Sequence, residues 1–197
     1  MGAYSPTPFV SKEMEDEIVN NILKPTIKAF QNEGIKYKGI LYAGLILTEM
    51  GPKVLEFNAR LGDPETQVLL PRLEDDLLDL MLKVVNEDLD GVEINISDKA
   101  AVCVVLSSGG YPLTYKKGKE IEGLENLMHY DNVLVFHAGT KKKGDHFVTD
   151  GGRVLGITVL EDGLFNTVNE AYEMVEMVQF EDMHYRTDIG FDAAQYE

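Results

Sequence analysis

The spacing of apolar residues changes several times along the chain, and each change marks an element. Between residues 11 and 32 the spacing is helical, with Met14, Ile18, Ile22, Leu23, Ile27 and Phe30 on one side. Ser11 can cap this helix and Gly34 can stop it, while Pro25, inside the pattern, predicts a kink or a split. Residues 1–10 hold Pro6 and Pro8 and read as an extended loop. Residues 39–48 and 53–58 are rich in Leu, Ile, Val, Tyr and Phe. The short link Glu49-Met50-Gly51-Pro52 predicts that they form an antiparallel hairpin. Asp63-Pro64-Glu65 predicts a helix start, with Asp63 as cap and Pro64 at the first helical position, and Pro71 ends that helix. Residues 74–86 are amphipathic through Leu77, Leu78, Met81, Leu82 and Val85.

A polar, turn-rich stretch at 88–98 separates this half from a different pattern. Short strands are expected at 101–106, 119–121, 133–137, 146–149 and 153–160, with glycine turns between them. One helix, about 164–180, closes the region with Val168, Ala171, Tyr172, Val175 and Val178 on one face. The reading is an α+β chain with a boundary near residue 97, giving domains 1–96 and 97–197. The apolar runs near 39–47 and 100–106 are of strand length and too short to span a membrane.

Composition narrows the function classes. Apolar residues make up 44% of the 197 and charged residues 26%, a globular profile. Asp and Glu number 34 against 18 Lys and Arg, a net charge of −16 that repels phosphate backbones and argues against nucleic-acid partners. A nucleotide ligand remains compatible, because a triphosphate is held by a few local groups and Mg²⁺. The lone Cys103 lies in an apolar run and reads as a small buried hydrophobe, which suits a reducing cytoplasm. The first residues carry neither a basic nor an apolar leader segment, so no secretion signal is expected. The histidines at 129, 137, 146 and 184 lack zinc spacing, and His137 reads as a structural histidine. Lys116-Lys117-Gly118-Lys119 and Lys141-Lys142-Lys143-Gly144 read as solvated turns.

The segment richest in chemistry is Val54-Leu55-Glu56-Phe57-Asn58-Ala59-Arg60. On a strand, residues two apart share a face, so Glu56 and Asn58 project side by side while Leu55 and Phe57 supply the opposite, packed face. A carboxylate and an amide oxygen on a rigid strand suit a hard cation that also takes phosphate oxygens and water. Arg60, next on that face, can neutralise a transferring phosphoryl group. Three polar residues at period two are also the ordinary polar face of an edge strand.

The continuation Leu61-Gly62-Asp63-Pro64-Glu65-Thr66-Gln67 extends this segment into a long string that resembles the signature of the phosphoribosylamine–glycine ligases. Met1-Gly2-Ala3-Tyr4-Ser5-Pro6 resembles that family's substrate-side loop, and Gly39-Ile40-Leu41-Tyr42-Ala43-Gly44-Leu45 the strand before its metal strand. Ser108-Gly109-Gly110-Tyr111-Pro112, Phe136-His137-Ala138-Gly139-Thr140, Gly151-Gly152-Arg153-Val154-Leu155-Gly156 and Tyr185-Arg186-Thr187-Asp188-Ile189-Gly190 resemble its C-terminal domain.

The resemblance implies the second half of an ATP-grasp domain followed by a small β-rich C-terminal domain. It implies ATP-dependent joining of glycine to 5-phosphoribosylamine through a glycyl phosphate, giving glycinamide ribonucleotide, ADP and phosphate in purine biosynthesis. It implies Mg²⁺ or Mn²⁺ on Glu56 and Asn58, with Arg60 catalytic at the acyl-phosphate step. It places Asp63 and the loop with Gly2, Tyr4, Ser5 and Pro6 near the amine and sugar-phosphate substrate. Two departures stand out. Tyr42-Ala43-Gly44 carries no acid where many ATP-grasp enzymes have a further metal ligand, and the family's N-terminal half, with the lysine-bearing strands of the ATP clamp, has no counterpart in these residues. The expectation is a fragment, inactive alone, whose partner is the N-terminal half of the same enzyme. The Glu-x-Asn-x-Arg core would also fit biotin-carboxylase-like or carboxyaminoimidazole-forming ATP-grasp enzymes, and a half site would also suit a non-catalytic binding module.

Overall fold

The computed structural model describes residues 1–196. In chain order the elements are β1 (Gly2–Ser5), α1 (Lys12–Ile18), α2 (Lys24–Asn32), β2 (Tyr42–Thr48), β3 (Gly51–Asn58), α3 (Thr66–Leu69) and α4 (Leu77–Asn86). They continue with β4 (Ala100–Ser108), β5 (Glu120–Ile121), α5 (Leu124–Leu127), β6 (Val133–His137), β7 (Thr140–Lys143) and β8 (His146–Thr149). The last are β9 (Arg153–Glu161), α6 (Leu164–Glu176), β10 (Met183–His184) and α7 (Phe191–Ala194). Two compact units form. The first holds Met1–Thr7, Asp63–Leu73 and the chain from Ile96 onward, and the second holds Pro8–Gly62 and Glu74–Asn95.

The units are therefore interleaved along the chain, where the sequence suggests one cut near residue 97. Two long-range packings explain this. Residues 2–5, expected as loop, form an edge strand against β4 in register Gly2 with Val104 through Ser5 with Ala101. Val68 of α3 is buried in a cluster with Ala101, Cys103 and Val105.

The first unit is built on an antiparallel sheet in the order β1-β4-β9-β6, with β10 pairing to the far end of β4. All nine residues of β4 are buried. Its side chains alternate between two clusters, which is why its sequence is continuously apolar. Val102, Val104 and Leu106 join Leu155, Ile157 and Val159 of β9, and α6 covers them with Leu164, Val168, Ala171 and Val175. The residues Ala101, Cys103 and Val105 form the second cluster. Each fully buried large aliphatic side chain contributes about 1.5–3 kcal/mol. A smaller sheet has the order β5-β8-β7. The lysine run 141–143, expected as a turn, is the strand β7, with its lysines exposed and the turn displaced to Gly144 at φ +62°. Lysines on a sheet edge keep it from pairing with another chain.

The second unit starts with Ser11, whose hydroxyl accepts from Met14 N at 3.3 Å and caps α1. Between α1 and α2 the residues Val19–Leu23 widen into a π-helical turn, just before Pro25. Proline lacks an N–H and collides with the carbonyl four residues back, so the expected break takes this form. β2 and β3 form the expected antiparallel hairpin. α4 begins at Leu77 rather than near Glu74, because Asp76 is the cap and accepts from Leu78 N at 2.8 Å and Asp79 N at 3.1 Å. The neighbouring Asp75 is taken by Asn95.

Asp63 is not a helix cap either. The helix starts three residues later, at Thr66, and the Asp63 carboxylate is engaged by Arg153 and Gln67 instead. Among the described residues no helix is long and apolar enough to cross a membrane.

Candidate functional site

The residues expected to carry chemistry sort by unit. Glu56, Asn58 and Arg60 lie in the second, and Gly2, Tyr4, Ser5, Pro6 and Asp63 lie in the first.

On β3, Glu56 and Asn58 are side by side as their spacing predicts, and Asn58 Nδ2 donates to Glu56 Oε1 at 3.0 Å. That bond uses the amide's nitrogen and leaves Asn58 Oδ1 and Glu56 Oε2 as oxygen donors. Across the hairpin Glu56 faces Gly44, and a Cβ there would come within 3.1 Å of the Glu56 Cγ. Glycine at this position thus leaves room for the carboxylate. The stretch that lacks a third acid is also the stretch that makes space for the first. The register shifts between Gly44 and Leu45, so Leu55 is the extra residue of a bulge beside Glu56. The face of Leu55 and Phe57, expected to be packed in the intact enzyme, is open here, with Leu55 66% exposed and Phe57 43%. Arg60 lies past the strand end, where its guanidinium donates to the Leu61 carbonyl at 3.0 Å.

Described residues include no group of three or more His, Cys, Asp and Glu placed to hold a metal. The Glu56–Asn58 pair is a two-donor set of oxygen atoms. It fits a hard cation that draws its remaining ligands from phosphates and water, and it does not fit a metal that needs an all-protein cage.

In the first unit the N-terminal residues are held by internal contacts. A Cβ on Gly2 would lie 2.5 Å from the Cys103 carbonyl oxygen, so the close approach of β1 to β4 requires glycine there. Tyr4 packs against the main core, and Pro6 is exposed. Ser5 Oγ accepts from Arg72 Nη1 at 2.6 Å, and the same guanidinium donates to the carbonyls of Lys99 and Ser97. Burial lowers the Arg72 pKa. Cys103 is the buried hydrophobe expected of it, its thiol pKa raised to about 11 by burial. His137 Nδ1 lies 2.9 Å from Thr140 Oγ1, and its ring packs against Phe147.

Two family models match. One, "Phosphoribosylglycinamide synthetase, ATP-grasp (A) domain", covers residues 1–66, and the other, "Phosphoribosylglycinamide synthetase, C domain", covers residues 101–192. The chain belongs to the phosphoribosylglycinamide synthetase family. It is 48% identical to the phosphoribosylamine–glycine ligase of Caldanaerobacter subterraneus subsp. tengcongensis over 96% of this chain and 45% of that protein. The crystal structure of phosphoribosylamine–glycine ligase from Thermotoga maritima matches with a TM-score of 0.77 at 34% identity, over 96% of this chain and 46% of that one. The biotin carboxylase domain of Hydrogenobacter thermophilus 2-oxoglutarate carboxylase, solved with MgADP, ADP and bicarbonate, matches with a TM-score of 0.62 over 99% of this chain and 42% of that one. At 13% identity this last likeness shows a shared fold alone. The expected mixed α and β fold of an ATP-grasp enzyme is thereby established, and the chain spans about half the length of the ligases it matches.

All the expected site residues of this synthetase-family chain fall within the stretch matched by the ATP-grasp model, residues 1–66. Yet β1 and Asp63 belong to the compact unit built mainly from the later residues. The sequence reading missed Arg72 and Arg153, the two arginines that hold this stretch. Arg153 is 90 positions from Asp63, and no local spacing signals such a contact. A groove of about 500 Å³ in the first unit, lined by residues including Ile121, Val135, His137 and Phe147, contains none of the expected site residues.

Proposed function

We propose that this chain is the C-terminal part of a phosphoribosylamine–glycine ligase. The full-length enzyme joins glycine to 5-phosphoribosylamine at the expense of ATP and yields glycinamide ribonucleotide, ADP and phosphate in the cytoplasm. The observation that carries the reading is the hydrogen-bonded Glu56–Asn58 pair opposite Gly44, inside the stretch matched by the ATP-grasp model.

On this reading the glycine carboxylate attacks the γ-phosphorus of ATP, ADP leaves, and glycyl phosphate forms. The amine of phosphoribosylamine then attacks the acyl carbon, phosphate leaves with the C–O bonding pair, and the nitrogen loses a proton. Glu56 and Asn58 would hold Mg²⁺ or Mn²⁺, which supplies charge neutralisation for the phosphates. Arg60, exposed and committed only to a neighbouring carbonyl, is free to swing onto the transferring phosphoryl group. Asp63 and the N-terminal residues Gly2, Tyr4, Ser5 and Pro6 would serve the amine and sugar phosphate. The missing N-terminal half covers the apolar faces that the second unit leaves open and brings the rest of the ATP clamp.

Assay of the full-length enzyme tests this. Phosphate release dependent on ATP, glycine and phosphoribosylamine together is expected. The 197-residue chain alone is expected to release none, because phosphoryl transfer needs positioning and charge stabilisation from all sides. Steady substrate-dependent release from the isolated chain, or none from the full-length enzyme, contradicts the reading.

A further inference from the structure

Strings that the sequence presents as separate motifs meet around one guanidinium in the first unit. Arg153 opens β9. Its Nη2 lies 3.1 Å from Asp63 Oδ2, and its Nη1 donates to the Asp63 backbone carbonyl at 3.1 Å. One planar fork thus grips both the side chain and the main chain of a single residue. The other carboxylate oxygen, Oδ1, accepts from Gln67 Nε2 at 3.0 Å. With one donor on each oxygen, the carboxylate is fixed in rotation as well as in position.

The backbone that carries Arg153 is held just as closely. Gly139 N donates to the Arg153 carbonyl at 2.8 Å. A Cβ on Gly139 would fall 2.5 Å from that carbonyl and 2.5 Å from the Gly151 Cα, and one on Gly152 would fall 2.2 Å from the Tyr111 ring. No other residue fits these crossings without displacing backbone or ring. Three glycine-bearing strings of the second half, around Tyr111, Gly139 and Gly151, are therefore the mount on which Arg153 sits.

A purely structural purpose accounts poorly for this arrangement. The side chains of Arg153 and Asp63 are 33% and 48% exposed, and ion pairs this open add little to folding. Asp63 is the more open of the two. Arg153 and Gln67 each occupy one acceptor direction, so the remaining lone pairs of the carboxylate face a restricted set of directions. A carboxylate so oriented accepts from an amine N–H or a sugar hydroxyl.

We propose that Arg153 is a positioning residue for the amino-sugar substrate and acts by orienting Asp63. The inference rests on the ligase reading above. Its test is steady-state kinetics on the full-length enzyme with Arg153→Met, Arg153→Lys, Asp63→Asn and the Met/Asn double variant, each substrate varied in turn. Arg153→Met is expected to raise KM for phosphoribosylamine by roughly tenfold or more, with KM for ATP and for glycine within about twofold of normal. Arg153→Lys, whose ammonium cannot grip carboxylate and carbonyl as a fork, recovers part of the loss. Asp63→Asn shows the same selective rise, and the double variant is no worse than the poorer single one, because both act through one link. If Arg153→Met does not fold, Arg153→Lys and Asp63→Asn carry the test. An unchanged KM for phosphoribosylamine, an equal change in all three KM values, or additive effects in the double variant overturns the inference. If the unmodified full-length enzyme makes no glycinamide ribonucleotide, the functional reading fails and the inference falls with it. If that enzyme is active and the variants are kinetically silent, only the inference fails.

Discussion

The first unit buries every residue of β4 and covers one face of its sheet with α6, while the second leaves almost all of its apolar residues partly open. Among the described residues of the second unit only Pro52 and Gly62 are buried. Ile46, Leu55 and Phe57 of its hairpin are 47%, 66% and 43% exposed, and Leu78 and Val85 of α4 are 65% and 60% exposed. These residues keep the periodicity of elements meant to be packed, yet nothing among the described residues of that unit encloses them. The Glu56–Asn58 pair sits on the open unit, and the substrate-side residues sit on the closed one. The chain spans under half the length of the Caldanaerobacter ligase it matches, and on the proposed reading the remaining part of the enzyme completes the second unit.

A cavity in the closed unit and a charge on the open one should differ most in their cost to folding. Ile157→Ala, fully buried in β9, is expected to cost about 2–5 kcal/mol, read by urea unfolding of the 197-residue chain. Leu55→Asp, on the open unit, is expected to cost about 0.5 kcal/mol or less. In the intact enzyme Leu55 is expected on a packed face, where a charge would unfold the protein; in this chain the hairpin is expected to expose apolar surface, and Leu55 is 66% exposed. Equal losses at the two positions would mean that the hairpin is enclosed after all.

Cys103 sharpens the same contrast from inside the closed unit. With its thiol pushed up to about 11 by burial, it carries little thiolate at pH 8. Labelling by a soluble disulfide reagent should be slower by about two orders of magnitude than in denaturant. Rapid labelling of the folded chain would show that β4 opens and that the first unit is less closed than its packing implies.

The smallest effect is expected at Asp75 on the open unit. Its pKa is held below the ordinary value, first by the backbone N–H of Asn95 and then by the Asn95 side-chain amide. Because the folded pKa is depressed, the tie stabilises above the unfolded value of about 3.9 and is lost as the pH falls through the lowered one. Asp75→Asn should therefore lower the thermal midpoint slightly at pH 7, and the gap from wild type should close on acidification. A gap that widens in acid has the wrong sign.

Local patterns were legible in the sequence wherever one segment sets its own structure. The apolar run of β4, the stripe of α6, the β2–β3 hairpin and the neighbouring pair on β3 all follow from spacing within a few residues. Long-range partners decide the rest. Residues 2–5 become a strand only because β4 offers them an edge, and three consecutive lysines become β7 because β8 does the same. The bulge at Leu55 and the space at Gly44 arise from pairing register, which composition does not encode. Asp63 has the spacing of a helix cap, but an arginine 90 positions away claims its carboxylate.

Glu56→Gln in the full-length enzyme tests the assignment of Glu56 and Asn58 to the cation most directly. The amide keeps the shape of the side chain on an exposed strand, so the thermal midpoint should barely move. It removes the one negative donor of the pair, and turnover at saturating Mg²⁺ and ATP should fall roughly 100-fold or more, equivalent to about 2.7 kcal/mol in the transition state. Near-normal turnover under those conditions would contradict the account and would mean that this strand does not hold the metal.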